Sequence, residues 1–348
     1  MFEQISYLNA GTDGPLPAAS THAGIRELEG QTTRGRAGEH FEHRHELAEQ
    51  LRRAYAHALG CQSGDVALTT CTSEGLSCVI DGLELREGEE ILTSEEEHPG
   101  LLGALAAARQ LDGVSVRVVP FLDIAKAVGP RTALVACSHV SWMTGKVIPA
   151  QLAEIEVPIL LDGAQGVGAI PVDVHSLGCD AYAGAGQKWL CGPDGIGMLY
   201  VAPTLCERLA VRRRGYGNLA DPGAGLEASL HDDARRFDTF ALSAEALASA
   251  LAAVQVLEQA GWAAVHERAT ALAAQLVEML NAAGRDTAPR GASTLVSFAS
   301  ADPVAERVRL ADRGVVLRDI PERPQLRASV GAWNDESDLE RLLAALDA

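Results

Sequence analysis

The chain has 348 residues, 47% hydrophobic and 22% charged, with a formal net charge of −18. That length exceeds a typical single core, so one large and one smaller domain are expected. The negative charge argues against a nucleic-acid partner or an anionic membrane surface, and no uninterrupted apolar run is long enough to span a bilayer.

Tyr7 to Pro17 is dense in glycine and proline, and residues 1–20 read as an irregular leading loop. Glu39 to Leu59 places Leu47, Leu51, Tyr55 and Leu59 at helical spacing, and Gly60 stops the helix. Val66 to Thr70 is a short strand. It feeds the turn Cys71-Thr72-Ser73-Glu74-Gly75, and a helix follows through Leu85. A strand, a turn of small hydroxyl residues and a helix N-terminus make an anion site; alternatively, Thr72 or Ser73 merely caps the helix. Ile91 to Thr93 is the next strand, ending near His98, which reads either as a turn residue before Pro99 or as a group facing a ligand. Val114 to Val119 and Ala133 to Cys137 add further strands, and the strand–helix alternation predicts a mainly parallel sheet.

The stretch Leu160 to Tyr200 concentrates the chemistry. Asp162 ends the apolar run that starts at Val157, and Lys188 follows a second run that breaks into Gly184-Ala185-Gly186-Gln187. Apolar runs bounded by glycine read as strands buried on both faces, and α/β sheets bind ligands at the exit ends of such strands. Taken singly, Asp162 also reads as a turn residue and Lys188 as a surface amine. The chain has only three lysines, Lys126, Lys146 and Lys188, and only Lys188 lies between small residues and a Gly-Pro turn. A lysine amine condenses with an aldehyde, and a carboxylate keeps a pyridine nitrogen protonated. The pair suits pyridoxal 5'-phosphate.

Beyond the shortened segment Arg236-Phe237-Asp238-Thr239, two long helices follow from Leu242, split at Gly261-Trp262. Strands at Ser293 to Phe298, Gly314 to Leu317 and Leu326 to Val330 alternate with helices at Pro303 to Arg313 and Asp335 to Leu346. Seven scattered cysteines without a CxxC pair, and no charged-then-apolar leader, predict reduced thiols and a cytoplasmic location. Glu95-Glu96-Glu97-His98 has no second ligand group at metal spacing, so no metal is expected.

Asp162-Gly-Ala-Gln165, Pro171-Val-Asp-Val and Gly186-Gln-Lys188-Trp-Leu-Cys-Gly-Pro resemble the core of class V aminotransferase-fold enzymes. These are fold-type I pyridoxal-phosphate enzymes and include cysteine desulfurases, selenocysteine lyases, isopenicillin N epimerases and cysteine C–S lyases. The likeness runs from Tyr7 to the C-terminus and thins between Gly217 and Asp233.

It implies an α/β fold with a mainly parallel seven-stranded-type sheet flanked by helices, plus a small α/β C-terminal domain. The large domain would span 15–240, and the small one 1–14 and 241–348. The resemblance implies that Lys188 is catalytic and that Thr72, Ser73, His98, Asp162, Gln165 and Gln187 bind the cofactor. His98 would stack on the pyridine ring. Thr239 would reach the phosphate of a neighbouring subunit, making a homodimer with shared sites. Arg327 would hold the substrate carboxylate with help from Arg318, and Gly11 and Thr12 would border the entrance.

Three positions and one segment depart from the pattern. Trp142 replaces the asparagine that bonds the cofactor's phenolic oxygen, leaving Ser141 or Gln165 for that contact. Ala185 and Gln187 stand where many relatives carry Ser and His. The segment Asp319 to Leu326 lacks the cysteine of desulfurases. The expected reaction is therefore β-elimination from an S-substituted cysteine, through α-proton removal by Lys188. Transamination, epimerisation, deamination or decarboxylation are the enzymatic alternatives, and a catalytically silent cofactor-binding protein is the non-enzymatic one.

Overall fold

The computed structural model describes residues 4–347. Residues 1–3 and 348, at the two ends of the expected small domain, lie outside the described residues. The chain opens with β1 (Ser6–Tyr7), α1 (Ala18–Arg34) and α2 (Gly38–Leu59). Then β2 (Val66–Thr69), α3 (Thr72–Gly82), β3 (Glu90–Ser94), α4 (Pro99–Leu111), β4 (Ser115–Val119) and β5 (Thr132–Ser138) alternate. β6 (Ile159–Asp162), β7 (Ala181–Ala185) and β8 (Gly197–Val201) complete a seven-stranded sheet in the order β2-β8-β7-β6-β5-β3-β4.

β4, β3, β5, β6 and β7 pair in parallel, and β8 runs antiparallel to both β7 and β2. Reversing β8 restores β2 to the direction of the main set. The C-terminal ends of β2, β3, β5, β6 and β7 therefore open on one edge of the sheet, where α/β folds place ligands. Strands β2, β3, β6, β7 and β8 are buried along their whole length. This explains the apolar runs that enter β6 and fill β8. One face packs on α2 through Leu51, Tyr55 and Leu59, the other on α3 and α4 through Leu76, Val79, Leu101 and Leu105.

After α5 (Pro203–Cys206) come α6 (Ala244–Ala260), α7 (Trp262–Ala282), β9 (Leu295–Ala299), α8 (Pro303–Asp312), β10 (Val315–Val316), β11 (Arg318–Asp319), β12 (Gln325–Ser329) and α9 (Glu336–Asp347). β11-β12-β9 form a separate antiparallel sheet, whose core is built from Leu272, Leu276, Val296, Phe298, Leu326 and Leu339. β1 pairs with β10, tying the leading segment to this region. The buried face of α6, in contrast, belongs to the core under the main sheet. Gly261, at φ 86°, separates α6 from α7 as expected. Among the described residues no helix is long and apolar enough to cross a membrane.

Two sequence expectations need correction. The leading loop ends at Pro17 and contains β1, because α1 begins at Ala18. α1 lacks an apolar stripe: its buried residues are Ser20, Ala23 and Gly30. It lies close to α6 through small side chains, with Ser20 Oγ bonded to Ser249 Oγ at 2.7 Å. Hydrophobic periodicity does not register such a contact. The helix after Thr72 stops at Gly82 rather than Leu85, and Glu84 takes a left-handed φ of 52°.

Candidate active site

β6 ends at Asp162, and β7 ends at Ala185 just before Lys188, with Asp162 in register with Ala183. Thr72 and Ser73 start α3 beyond β2, His98 caps α4 beyond β3, and Trp142 lies in the loop after β5. These residues line one cavity of about 250 Å³ together with Gly11, Thr12, Gln165, Gln187, Arg318 and Arg327. Every sequence-predicted site residue but Thr239 is thus brought together.

Thr239 lines a different cavity, of about 460 Å³, bordered by Phe41, Tyr216 and Phe240. Its backbone N–H donates to Leu68 O at 2.9 Å. Ser141 also points elsewhere, since its hydroxyl donates to Glu96.

Burial sets the electrostatics. It lowers the Lys188 amine to about 8, with Asp162 opposing the shift and Arg327 adding to it. Burial raises the Asp162 carboxyl, while Lys188 and the Ala164 N–H, 3.0 Å away, pull it back. His98 is lowered to about 4, first by burial and then by Lys188, Arg318 and Arg327. It is neutral at pH 7, and its Nδ1 accepts from Gly100 N at 3.0 Å. Behind Asp162, the buried Glu97 accepts from Ser94 and Ser138 hydroxyls, and burial pushes it up to about 7.

The two arginines face each other directly across β11 and β12. Like charges opposed on a sheet repel unless an anion lies between or near them. Arg327 is fully buried and lowered to about 9, by burial and by Arg318. Its Nη1 donates to Trp142 O at 2.7 Å, while Nε and Nη2 have no hydrogen-bond partner. Thr72 Oγ1, Gln187 Oε1 and Ser329 Oγ are also buried without partners. The Trp142 ring meets His98 edge-on, with centroids 5.1 Å apart, and Arg318 Cζ lies 5.5 Å from its centroid. The unmet donors at the cavity, Arg327 Nε and Nη2 and Thr72 Oγ1, suit a ligand bearing both a phosphate and a carboxylate.

Close packing fixes the leading segment against this floor. A Cβ on Gly11 would lie 2.7 Å from Ser329 Oγ and 2.8 Å from Arg327 Nη2. A Cβ on Gly14 would fall 1.9 Å from Lys188 O, and Gly14 N–H donates to Gln187 O at 2.7 Å. Gln165 bridges the two sides: its Nε2 donates to Gly11 O at 2.8 Å, and its Oε1 accepts from Trp189 Nε1 at 2.9 Å. One amide N–H of Gln165 remains for a ligand. Sequence reasoning missed the structural parts played by Gly14, Ser329 and the buried acids Glu96 and Glu97. The only signal for the two acids was a run of three, Glu95 to Glu97, after a strand.

Comparison with known proteins places this fold in a class. The aminotransferase class-V family model matches residues 9–342. A probable cysteine desulfurase of Pseudomonas aeruginosa is 32% identical, covering 99% of this chain and 94% of its own. The isopenicillin N epimerase of Amycolatopsis lactamdurans is 31% identical, covering 98% and 94%. The structure of the cystine C–S lyase C-DES in complex with its reaction product, cysteine persulfide, superposes with a TM-score of 0.93 at 28% identity. That match covers 99% of this chain and 97% of the lyase. The chain belongs to the aminotransferase class-V family.

Proposed function

We propose that this class V enzyme cleaves the Cβ–S bond of an S-substituted cysteine by β-elimination. Its cofactor is pyridoxal 5'-phosphate. When bound, that group supplies an electron sink for the charge left at the substrate Cα. The residues fit it. Lys188 would hold its aldehyde carbon, and Asp162 would keep its ring nitrogen protonated. His98 would lie against the ring, and Thr72, Ser73 and Gln187 would meet the phosphate at the N-terminus of α3, where N–H groups and the helix dipole favour an anion. The spare amide N–H of Gln165 would serve the phenolic oxygen.

Arg327 would bind the substrate carboxylate through the buried Nε and Nη2, and Arg318 would border the same end with Gly11, Thr12 and Trp142. Lys188, brought to about 8 by burial, has roughly a tenth of its population neutral at pH 7, whereas an ordinary lysine has almost none. It is therefore suited to take the proton from the substrate Cα. The chain would be organised as a large domain over 15–240 and a small one formed by 1–14 and 241–348, with α6 of the latter packed into the core under the main sheet. Seven free thiols suit a reducing compartment, the cytoplasm.

One observation carries the choice of elimination over sulfur transfer. Between the two arginines the chain makes a closed hairpin, with Ile320 N–H donating to Gln325 O at 3.0 Å and only Pro321, Glu322, Arg323 and Pro324 in the turn. It has neither a cysteine nor the length to carry one into the cavity. Cys71, which does line the cavity, belongs to the hydroxyl-rich turn before α3. The likeness to a cystine lyase points the same way.

Incubation of the holoenzyme with cystine and S-alkyl cysteines should release pyruvate and ammonia in equal amounts, with a persulfide or thiol. Alanine as the carbon product would reject elimination. The epimerase relative supports a second reading, inversion at Cα; exchange of α-deuterium with no pyruvate from any of these substrates would select it.

A further inference from the structure

The loop that carries Trp142 is held from behind by a residue outside the cavity. Glu96 lies two residues beyond the end of β3 and is 5% exposed. Its carboxylate accepts from Lys146 Nζ at 2.5 Å, from Thr144 Oγ1 at 2.6 Å and from the Ser141 hydroxyl. All of these donors stand on the segment 141–146. Burial opposes the charge on Glu96, but the bonds from Lys146, Ser141 and Thr144 outweigh it and hold the acid below its usual range.

The opposite face of the same segment meets the C-terminal sheet. Ser293 Oγ donates to Gly145 O at 2.7 Å, Ser297 Oγ to Met143 O at 2.5 Å, and Arg327 Nη1 to Trp142 O at 2.7 Å. The Trp142 carbonyl is the one acceptor Arg327 has among the described residues, and no acid pairs with it. A long side chain with a single anchor is aimed by that anchor. Moving the Trp142 carbonyl would swing the unpaired Nε and Nη2 away from a bound carboxylate, and bidentate recognition tolerates little displacement.

We infer that Glu96 is a positioning residue for amino-acid binding: by clamping Ser141, Thr144 and Lys146 it fixes the Trp142 carbonyl that aims Arg327. The inference rests on the proposed reading that Arg327 receives the substrate carboxylate. Glu96 itself touches neither substrate nor cofactor.

The test uses the holoenzyme and its Glu96→Gln, Glu96→Ala, Arg327→Lys and Glu96→Gln/Arg327→Lys variants, read by kcat, KM, melting temperature and the visible cofactor spectrum without substrate. Both Glu96 variants should raise KM for the amino acid about tenfold and leave kcat within about threefold, the size expected when a supporting residue behind a binding group is removed. The spectrum without substrate should be unchanged. Once Arg327 is lysine, adding Glu96→Gln should raise KM no further, since both changes act through one guanidinium.

A KM unchanged in the Glu96 variants, a matching fall in kcat alone, or additive effects in the double variant would overturn the inference. If Arg327→Lys itself leaves KM unchanged, the reading of Arg327 fails instead. Should the Glu96 variants fail to fold, Ser141→Ala removes one of the clamp's donors, and the same KM shift, smaller in size, supports or its absence overturns the inference.

Discussion

Each lysine of the chain has a different setting, and the difference decides its chemistry. Lys126 is exposed and bonds to Asp123, and Lys146 is paired with Glu96. Lys188 is buried, and its amine is lowered to about 8 rather than the usual lysine value. An aldehyde is attacked by the neutral amine only. The apoenzyme should therefore capture pyridoxal phosphate at a rate that climbs about tenfold per pH unit below 8 and levels off above it. Stopped-flow absorbance over pH 6 to 10 measures this; a rate still climbing at pH 10 would contradict the assigned environment. Asp162 stood out in the sequence because it ends an unbroken apolar run, and Lys188 because, alone of three lysines, it lies between small residues and a Gly-Pro turn. Arg327 needed the family resemblance, since nothing local separates it from the many surface arginines. Glu96 and Glu97 were not legible: a run of acids after a strand looks like a solvated turn, and only the fold turns these two inward onto hydroxyls.

At the scale of elements, the site depends on a segment with almost no regular structure. Gly11 and Thr12 line the cavity, and the segment that carries them is pinned by Gln165 and by the Gly14–Gln187 hydrogen bond. Gly14→Ala would put a methyl group 1.9 Å from the Lys188 carbonyl, a contact that only displacement relieves. Overpacking of this kind costs about 1–3 kcal/mol. The variant should melt several degrees lower and bind the cofactor more weakly; wild-type melting and affinity would show that the segment does not press on the lysine turn. Most strands and helices were readable from apolar runs, periodicity and glycine stops such as Gly60 and Gly261, but β1, β8 and β11 were not. α1 was not, because the side chains it buries are small and its apolar Ile25 and Leu28 face outward. A helix recognised by close approach leaves no apolar period in the sequence.

For the molecule as a whole, the position of Thr239 is informative. Thr239 lies beside exposed Phe41, Tyr216 and Phe240, outside the lysine cavity. We propose a homodimer in which this surface meets a second copy and Thr239 reaches its phosphate. A hydroxyl bonded to a phosphate contributes about 1.5–3 kcal/mol, so Thr239→Ala should weaken cofactor binding roughly tenfold or more. Mixing Thr239→Ala subunits with inactive Lys188→Ala subunits should then restore one intact site per mixed dimer. Mixtures no better than the separate variants would assign each site to a single chain. No signal within one chain distinguishes these cases, because the residue and its target would belong to different copies.

The most direct measurement is borohydride reduction of the holoenzyme followed by peptide mapping. The pyridoxyl group should be found on Lys188 alone, and an Asp162→Asn enzyme should keep the adduct but lose nearly all turnover. A label on Lys126 or Lys146, or no label on protein that has bound the cofactor, would contradict the account.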